Sequence, residues 1–190
     1  VFTTDPRIAP EAVRVERISH DAMLELAAMG AKVLQTRSVE YAKAKGVTLR
    51  VKSSFLPAGT SAGTEVTPEV EIAEKRIVSG VAYVRDQARL SLHGGEGPQA
   101  AELLFAALGD ADVDVDMIVQ ARARSGGSVV ECSVAGRDLP RALAAAENAA
   151  RPNGLEVRSE TGLAKVSVVG TGLRGRADVA RTLYGVLARE

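Results

Sequence analysis

Residues 88–120 read ARLSLHGGEGPQAAELLFAALGDADVDVDMIVQ, a period-2 run, a glycine-rich loop, a helical stripe and a second period-2 run in succession. Ala88, Leu90 and Leu92 alternate with Arg89, Ser91 and His93, the period-2 pattern of a half-buried strand. A glycine-rich loop, Gly94-Gly95-Glu96-Gly97, follows, and Pro98 stands where the first turn of a helix tolerates it. Ala101, Leu104, Phe105 and Leu108 fall at i, i+3, i+4 and i+7, which makes one buried helical stripe. Val113, Val115, Met117 and Val119 alternate with Asp112, Asp114, Asp116 and Ile118, predicting a second strand with its aspartates on one solvated face. Ser125-Gly126-Gly127 predicts a hairpin turn and Ser128–Val134 the returning strand. Asp138 is expected to cap an Ala-rich helix reaching about Ala150, and Leu155–Val157 to begin another strand. The order β-α-β-β-α-β is that of a ferredoxin-like unit.

Upstream, residues 1–18 read as irregular, with Pro6 and Pro10. Ser19 is a helix cap with Asp21 in the first turn, where the dipole favours an anion. Ile18 and Met23 form a hydrophobic staple, and the helix runs to Gly30. A second helix spans Ser38 to Lys45, and Val47, Leu49 and Val51 then alternate as a strand. Residues 57–69, PAGTSAGTEVTPE, read as a loop or linker and a domain boundary. Beyond it, Val78–Val84 reads as a strand that ends in a turn at Arg85-Asp86-Gln87.

The pattern then repeats. Ala88-Arg89-Leu90-Ser91-Leu92 resembles Ala164-Lys165-Val166-Ser167-Val168, and each precedes a glycine-containing loop and an amphipathic helix. Val179, Leu183, Val186 and Leu187 make the apolar stripe of the second helix. With Phe105 set against Tyr184, Glu190 matches Ala111, so the second copy is expected to be incomplete. An unfinished β-α piece leaves an open strand edge and an uncovered apolar face. The chain lacks an initial Met and stops inside an apparent helix, so both ends are expected to be cuts in a longer protein.

Composition narrows the function. The 24 Lys+Arg balance the 24 Asp+Glu among 190 residues, which leaves no electrostatic footprint for nucleic acid or an anionic membrane. No stretch approaches 18 apolar residues, so no membrane span is expected, and the protein is expected to be cytoplasmic. A single cysteine, Cys132, excludes an internal disulfide framework and reads as a buried structural thiol. His20 and His93 read as surface or helix-start residues, and no metal site is expected. Asp112, Asp114 and Asp116 stand about 6.6 Å apart along a strand face, too far to share an ion.

Five segments carry a resemblance. Phe2-Thr-Thr-Asp-Pro-Arg7 resembles the (Y/F)T(T/A)DPR segment of aspartate kinases, and Met23–Leu34 resembles their helix ending in GAKVL. Val51-Lys-Ser-Ser-Phe55 is similar to VRSSF, Val113–Gln120 to (I/V)NIDMIVQN, and Ala164–Gly170 to AKVSVVG. The resemblance implies an α+β chain: the α/β tail of an amino-acid-kinase domain followed by ferredoxin-like βαββαβ ACT domains. The boundaries it suggests are residues 1–56 for the kinase tail, 57–76 for a linker, 77–160 for the first ACT domain and 161–190 for an incomplete second. It implies an enzyme that transfers the γ-phosphoryl of ATP, with magnesium, to the β-carboxylate of L-aspartate, on the route to lysine, threonine and methionine. Most of the catalytic core is expected to lie outside this chain, so no catalytic residue is assigned, and neither activity nor tight nucleotide binding is expected of the chain alone.

The resemblance assigns Phe2, Thr3, Thr4, Asp5, Pro6, Arg7, Lys32 and Val33 to ATP, with Phe2 by the adenosine and Arg7 by phosphate or ribose. Gln35-Thr36 replaces the family's His-Pro beside them. It assigns Glu96, Pro98, Asp114, Val115, Asp116, Gln120, Val179 and Ala180 to an amino-acid effector, lysine or threonine. Glu96-Gly97-Pro98-Gln99 stands where the family reads DKPG, Asp114 and Ala121 replace two asparagines, and Gly175–Asp178 departs from SHPG. Partners implied are the effector and a homodimer or hetero-oligomer formed through the ACT units. A second reading is a non-catalytic regulatory subunit that binds lysine or threonine beside a separate catalytic chain.

Overall fold

In a computed structural model, which describes residues 1–57, 59, 62–68, 77–123, 126–170, 172–173 and 175–189, Ser19 caps the first helix as its sequence predicts. Its Oγ accepts the Ala22 N–H at 3.1 Å at the start of α1 (His20–Ala28). Ile18 and Met23 are both buried, and Asp21 pairs with Lys43 on α2 (Thr36–Ala44). Replacing Ser19 by Ala orphans a helix-start N–H and is expected to cost about 1 kcal/mol, read as a lowered urea midpoint.

The chain divides into two compact units, Val1–Tyr83 with Val166–Glu190, and Val84–Lys165. In the first unit, β1 (Arg17–Ser19), β2 (Leu49–Val51) and β3 (Thr64–Thr67) form a sheet in the order β1-β3-β2. β3 lies parallel to β1 and antiparallel to β2. The reading of residues 57–69 as a loop therefore fails at Thr64–Thr67, which is the central strand. Its sequence, TEVT, is polar, yet Thr64, Val66 and Thr67 are fully buried. The threonines are tolerated there because hydroxyls find partners: Thr64 Oγ1 donates to the Val15 carbonyl at 2.6 Å. On the other face Glu65 meets Arg17 and Arg50, its direct neighbours on the flanking strands. Ile18, Met23, Leu26, Val39 and Val66 form this unit's core, joined by Ala82 and Val169.

The second unit has the expected order. β4 (Gly80–His93), α3 (Gly97–Asp110), β5 (Asp116–Arg122), β6 (Ser128–Ala135), α4 (Leu139–Ala150) and β7 (Glu156–Val169) follow one another, and the sheet order is β5-β6-β4-β7. β4 and β5 both run antiparallel to β6. Ser91 contacts Arg158 and Arg89 contacts Glu160, so rising numbers on β4 meet falling numbers on β7. Leu90, Leu92, Leu104, Leu108, Val130, Cys132 and Val134 are buried between this sheet and its helices. Each buried aliphatic side chain contributes about 1.5–3 kcal/mol relative to exposure.

Four local expectations change. The turn at Arg85-Asp86-Gln87 is absent: β4 runs straight through, with Asp86 at φ 56° absorbing the irregularity. Asp138 makes no side-chain cap; it ends a 3₁₀ turn, Gly136–Asp138, and its carboxylate meets Arg137 and Arg141. The strand begun at Leu155–Val157 and the repeat's strand at Ala164–Val168 are one continuous β7, bent at Gly162 (φ 74°). β5 starts at Asp116, later than expected, and all seven of its residues are exposed on the sheet edge.

The second repeat's helix, α5 (Ala177–Leu187), belongs to the first unit. Val179 and Leu183 of its stripe are half-buried, whereas Val186 and Leu187 are exposed. Cys132 is buried as expected, which pushes its thiol up to about 11. His20 opens α1, but it is buried, with Nε2 2.9 Å from the Val47 carbonyl. His93, half-buried, ends β4 beside Ser91. Among the described residues no helix is long and apolar enough to cross a membrane.

Candidate functional site

The structure builds two groups of candidate residues, one in each unit. In the first, Phe2 pairs with Arg14, the Thr3 N–H donates to the Val13 carbonyl at 2.9 Å, and the Val13 N–H donates to Thr3 Oγ1 at 3.1 Å. The Thr3 carbonyl accepts the Val81 N–H at 2.7 Å, so β4 braces the segment from behind. Thr4 is half-buried, and Phe2 and Pro6 are exposed.

Asp5 organises the turn that follows. Its Oδ1 accepts the Arg7 backbone N–H at 2.9 Å and Nε at 3.0 Å, and its Oδ2 accepts Nη2 at 2.7 Å. Tyr83 Oη also donates to Oδ2, at 3.3 Å. The Arg7 contacts hold the Asp5 carboxyl well below the usual carboxylate range, so this pair persists to a lower pH than an ordinary aspartate would allow. The inner edge of the Arg7 fork is thus spent on Asp5, while the side chain stays 87% exposed and its remaining N–H groups face outward. Lys32 and Val33 lie exposed in the turn after α1, where the Val33 N–H donates to the Ala31 carbonyl at 2.9 Å. Val1 and Ala31 pack on the same core, so both segments border one cluster.

The exposed Phe2 ring and the Arg7 guanidinium are of the kinds that take a base and a phosphate, and Lys32 adds an exposed ammonium on a separate segment that borders the same cluster. They do not fit a magnesium shell. Both Asp5 oxygens are engaged, and among the described residues no three His, Cys, Asp or Glu side chains converge on a metal position.

The second group surrounds the start of α3. Glu96 is the residue before the helix and makes no side-chain cap, and Pro98 occupies the first turn. Ser128 pins the loop, with its Oγ donating to the Gly94 carbonyl at 3.1 Å and its own carbonyl accepting the Gly94 N–H at 2.9 Å. Gln120 reaches the same place from β5: a Cβ on Gly97 would lie 2.5 Å from Gln120 Nε2. Glu96, Pro98 and Gln120 are therefore brought together at a helix N-terminus whose N–H groups suit a carboxylate. Asp114 and Val115 are exposed ahead of β5, and Asp116 is paired with Lys165. Lys165 and Tyr83 carried no assignment in the sequence. Neither had a motif to reveal it, since each finds its partner 49 and 78 residues away along the chain. Val179 and Ala180 stand on α5, in the other unit.

Comparison with known proteins places the chain among its relatives. Residues 1–53 match the amino acid kinase family model. Aspartate kinase from Pseudomonas putida is 41% identical over 193 residues, covering 100% of this chain and 46% of that protein. E. coli aspartokinase III, solved with aspartate and ADP, is 26% identical with a TM-score of 0.77, covering 98% of this chain and 41% of that one. The same enzyme solved with lysine and aspartate gives a TM-score of 0.72 at the same identity and coverage. The regulatory subunit of aspartate kinase from Thermus thermophilus is 30% identical with a TM-score of 0.55, covering 60% of this chain and 76% of that one. This chain belongs to the aspartate kinase family. It spans about half the length of the curated relatives it matches. The amino acid kinase family model and the Thermus regulatory subunit each match only part of the chain, whereas the aspartate kinase from Pseudomonas putida matches all of it.

Proposed function

We propose that this chain supplies the closing part of an aspartate kinase's nucleotide-binding domain together with an amino-acid-sensing ACT unit that regulates it. The whole enzyme would phosphorylate the β-carboxylate of L-aspartate from ATP and magnesium in the cytoplasm, and lysine or threonine would be the effector. The observation that carries the sensing role is Gln120 lying against Gly97 at the start of α3, beside Glu96. Helix N–H groups would take the effector's carboxylate, the Gln120 amide would fix its orientation, and Glu96 would meet its ammonium.

On the nucleotide side, Phe2–Arg7 with Lys32 and Val33 would contact the adenosine and phosphates. Asp5 would act by holding Arg7, with Tyr83 behind it. The kinase part would extend beyond residue 56 to include β3, with the first ACT unit over about residues 77–160 and the beginning of a second in 161–190. Assembly as a homodimer or hetero-oligomer would cover the exposed edge of β5 and the outer half of the α5 stripe, where Val186 and Leu187 are exposed. The similarity to a regulatory subunit favours a second reading, a non-catalytic sensor chain. The kinase-family match over residues 1–53 favours the first.

Calorimetric titration of the chain with lysine and with threonine tests the sensing role. Saturable binding of one of them is the expected result, and no heat from either in a folded sample would defeat the reading.

A further inference from the structure

β5 departs from a regular ladder. Asp116 lies opposite Ser133 while Val119 lies opposite Glu131, so three steps on β5 meet two on β6. The extra residue is a bulge, and Met117 within it takes φ 44°, a left-handed conformation that a non-glycine residue resists. The bulge is fastened by Asp116. One carboxylate oxygen accepts the Met117 N–H at 2.8 Å, and the other is held by the Lys165 ammonium. Lys165 lies three residues past the bend at Gly162, and its side chain is only 9% exposed.

A one-residue offset exchanges the faces of a strand. Ser133 alternates with the core residues Cys132 and Val134, so it points away from the helices, and Asp116 opposite it does the same. Gln120 lies opposite Val130, a core residue, and points to the helix face. The bulge thus separates two polar residues of one segment. Its burden is visible: Ser133 Oγ is buried without a hydrogen-bond partner in the described structure, and Met117 and Ile118 are each 57% exposed. If the register of Val119–Arg122 continued unbroken, Asp116 would oppose Val134 and Ile118 would oppose Cys132, which puts both on the Gln120 face.

We propose that β5 has two registers and that the Lys165–Asp116 ion pair latches the bulged one, keeping Asp116 away from Gln120. Release of Lys165 lets the strand slip by one residue. Asp116 then joins Gln120 on the face that holds the start of α3, and Ile118 turns inward. The consequence for effector binding rests on the sensing role proposed above; the register change does not.

Lys165→Met keeps the length of the buried stem and removes the ammonium. Cross-strand NOEs in the full 190-residue chain are expected to place Asp116 opposite Ser133 in the wild type and opposite Val134 in K165M. Met117→Val, whose β-branched side chain resists positive φ, is expected to produce the same slip from a different position, so the test survives if K165M does not fold. Met117→Gly should hold the bulged register. Lysine or threonine, titrated separately, should bind K165M and M117V at least roughly fivefold more tightly than M117G, the lower end of ordinary coupling between two states. An unchanged register in folded K165M or M117V overturns the latch. A slip without any change in affinity supports the latch and removes Asp116 from the effector site.

Discussion

Leu104→Ala is expected to cost the chain about 2–5 kcal/mol, the range for truncating a well-packed leucine. Leu104 is 1% exposed on α3, in the cluster with Leu90, Leu92, Leu108, Val130 and Cys132. Its loss removes apolar burial and leaves a cavity that a sheet fixed by its own ladder cannot fully close. Against a typical total stability of about 5–15 kcal/mol this is a large fraction. Urea denaturation followed by far-ultraviolet circular dichroism should show a loss of unfolding free energy of that size. Leu56→Ala is the control: Leu56 is 53% exposed, and its loss should change stability by less than about 0.5 kcal/mol. A Leu104→Ala cost below about 1 kcal/mol would mean that α3 does not pack on the sheet as described.

Gly97→Val is expected to leave stability nearly unchanged and to weaken effector binding by about two- to tenfold. The contrast follows from what a side chain at 97 would meet. Its Cβ would lie 2.5 Å from Gln120 Nε2, the far end of a flexible side chain, and its next neighbours are 3.6 Å and 4.0 Å away. Gln120 can swing aside at little cost to the fold, because it stands on an exposed edge strand. It would then leave the start of α3 and lose its contact with the bound amino acid. One such hydrogen bond is worth about 0.5–1.5 kcal/mol, or up to about tenfold in affinity. Calorimetry on the variant measures the affinity and a urea titration the stability. Unaltered affinity would remove Gln120 from the site, and a stability loss above about 2 kcal/mol would show that Gly97 is structural.

Much of this architecture was legible because local chemistry and tertiary structure agree. Ser19, Ile18 and Met23 announce α1, the Leu104 stripe announces α3, and the alternation around Leu90 announces the middle of β4. β3 was hidden because TEVT has a polar composition and its burial depends on hydroxyl partners elsewhere, such as the Val15 carbonyl. β1 was hidden because two of its three residues, Ile18 and Ser19, also serve as the staple and cap of α1. The continuity of β4 and β7 was hidden because Asp86 and Gly162, both at positive φ, look like turn residues. At the candidate site, Glu96, Pro98 and Gln120 meet as the motif suggests. The placement of Asp116 could not be read from period-2 alternation, since the bulge shows only in the pairing with β6 and its ion-pair partner Lys165 is 49 residues downstream.

The proposed sensing role puts an amino acid at the start of α3, between the Gly94–Pro98 loop and Gln120. The most direct measurement is a titration of the ¹⁵N-labelled chain with lysine and with threonine, following each backbone amide and the Gln120 side-chain amide by NMR. The expected result is a saturable shift, for one of the two amino acids, centred on Gly97, Gln99, Ala100 and the Gln120 amide. Shifts absent from these residues, or confined to the other unit, in a chain that remains folded would contradict it.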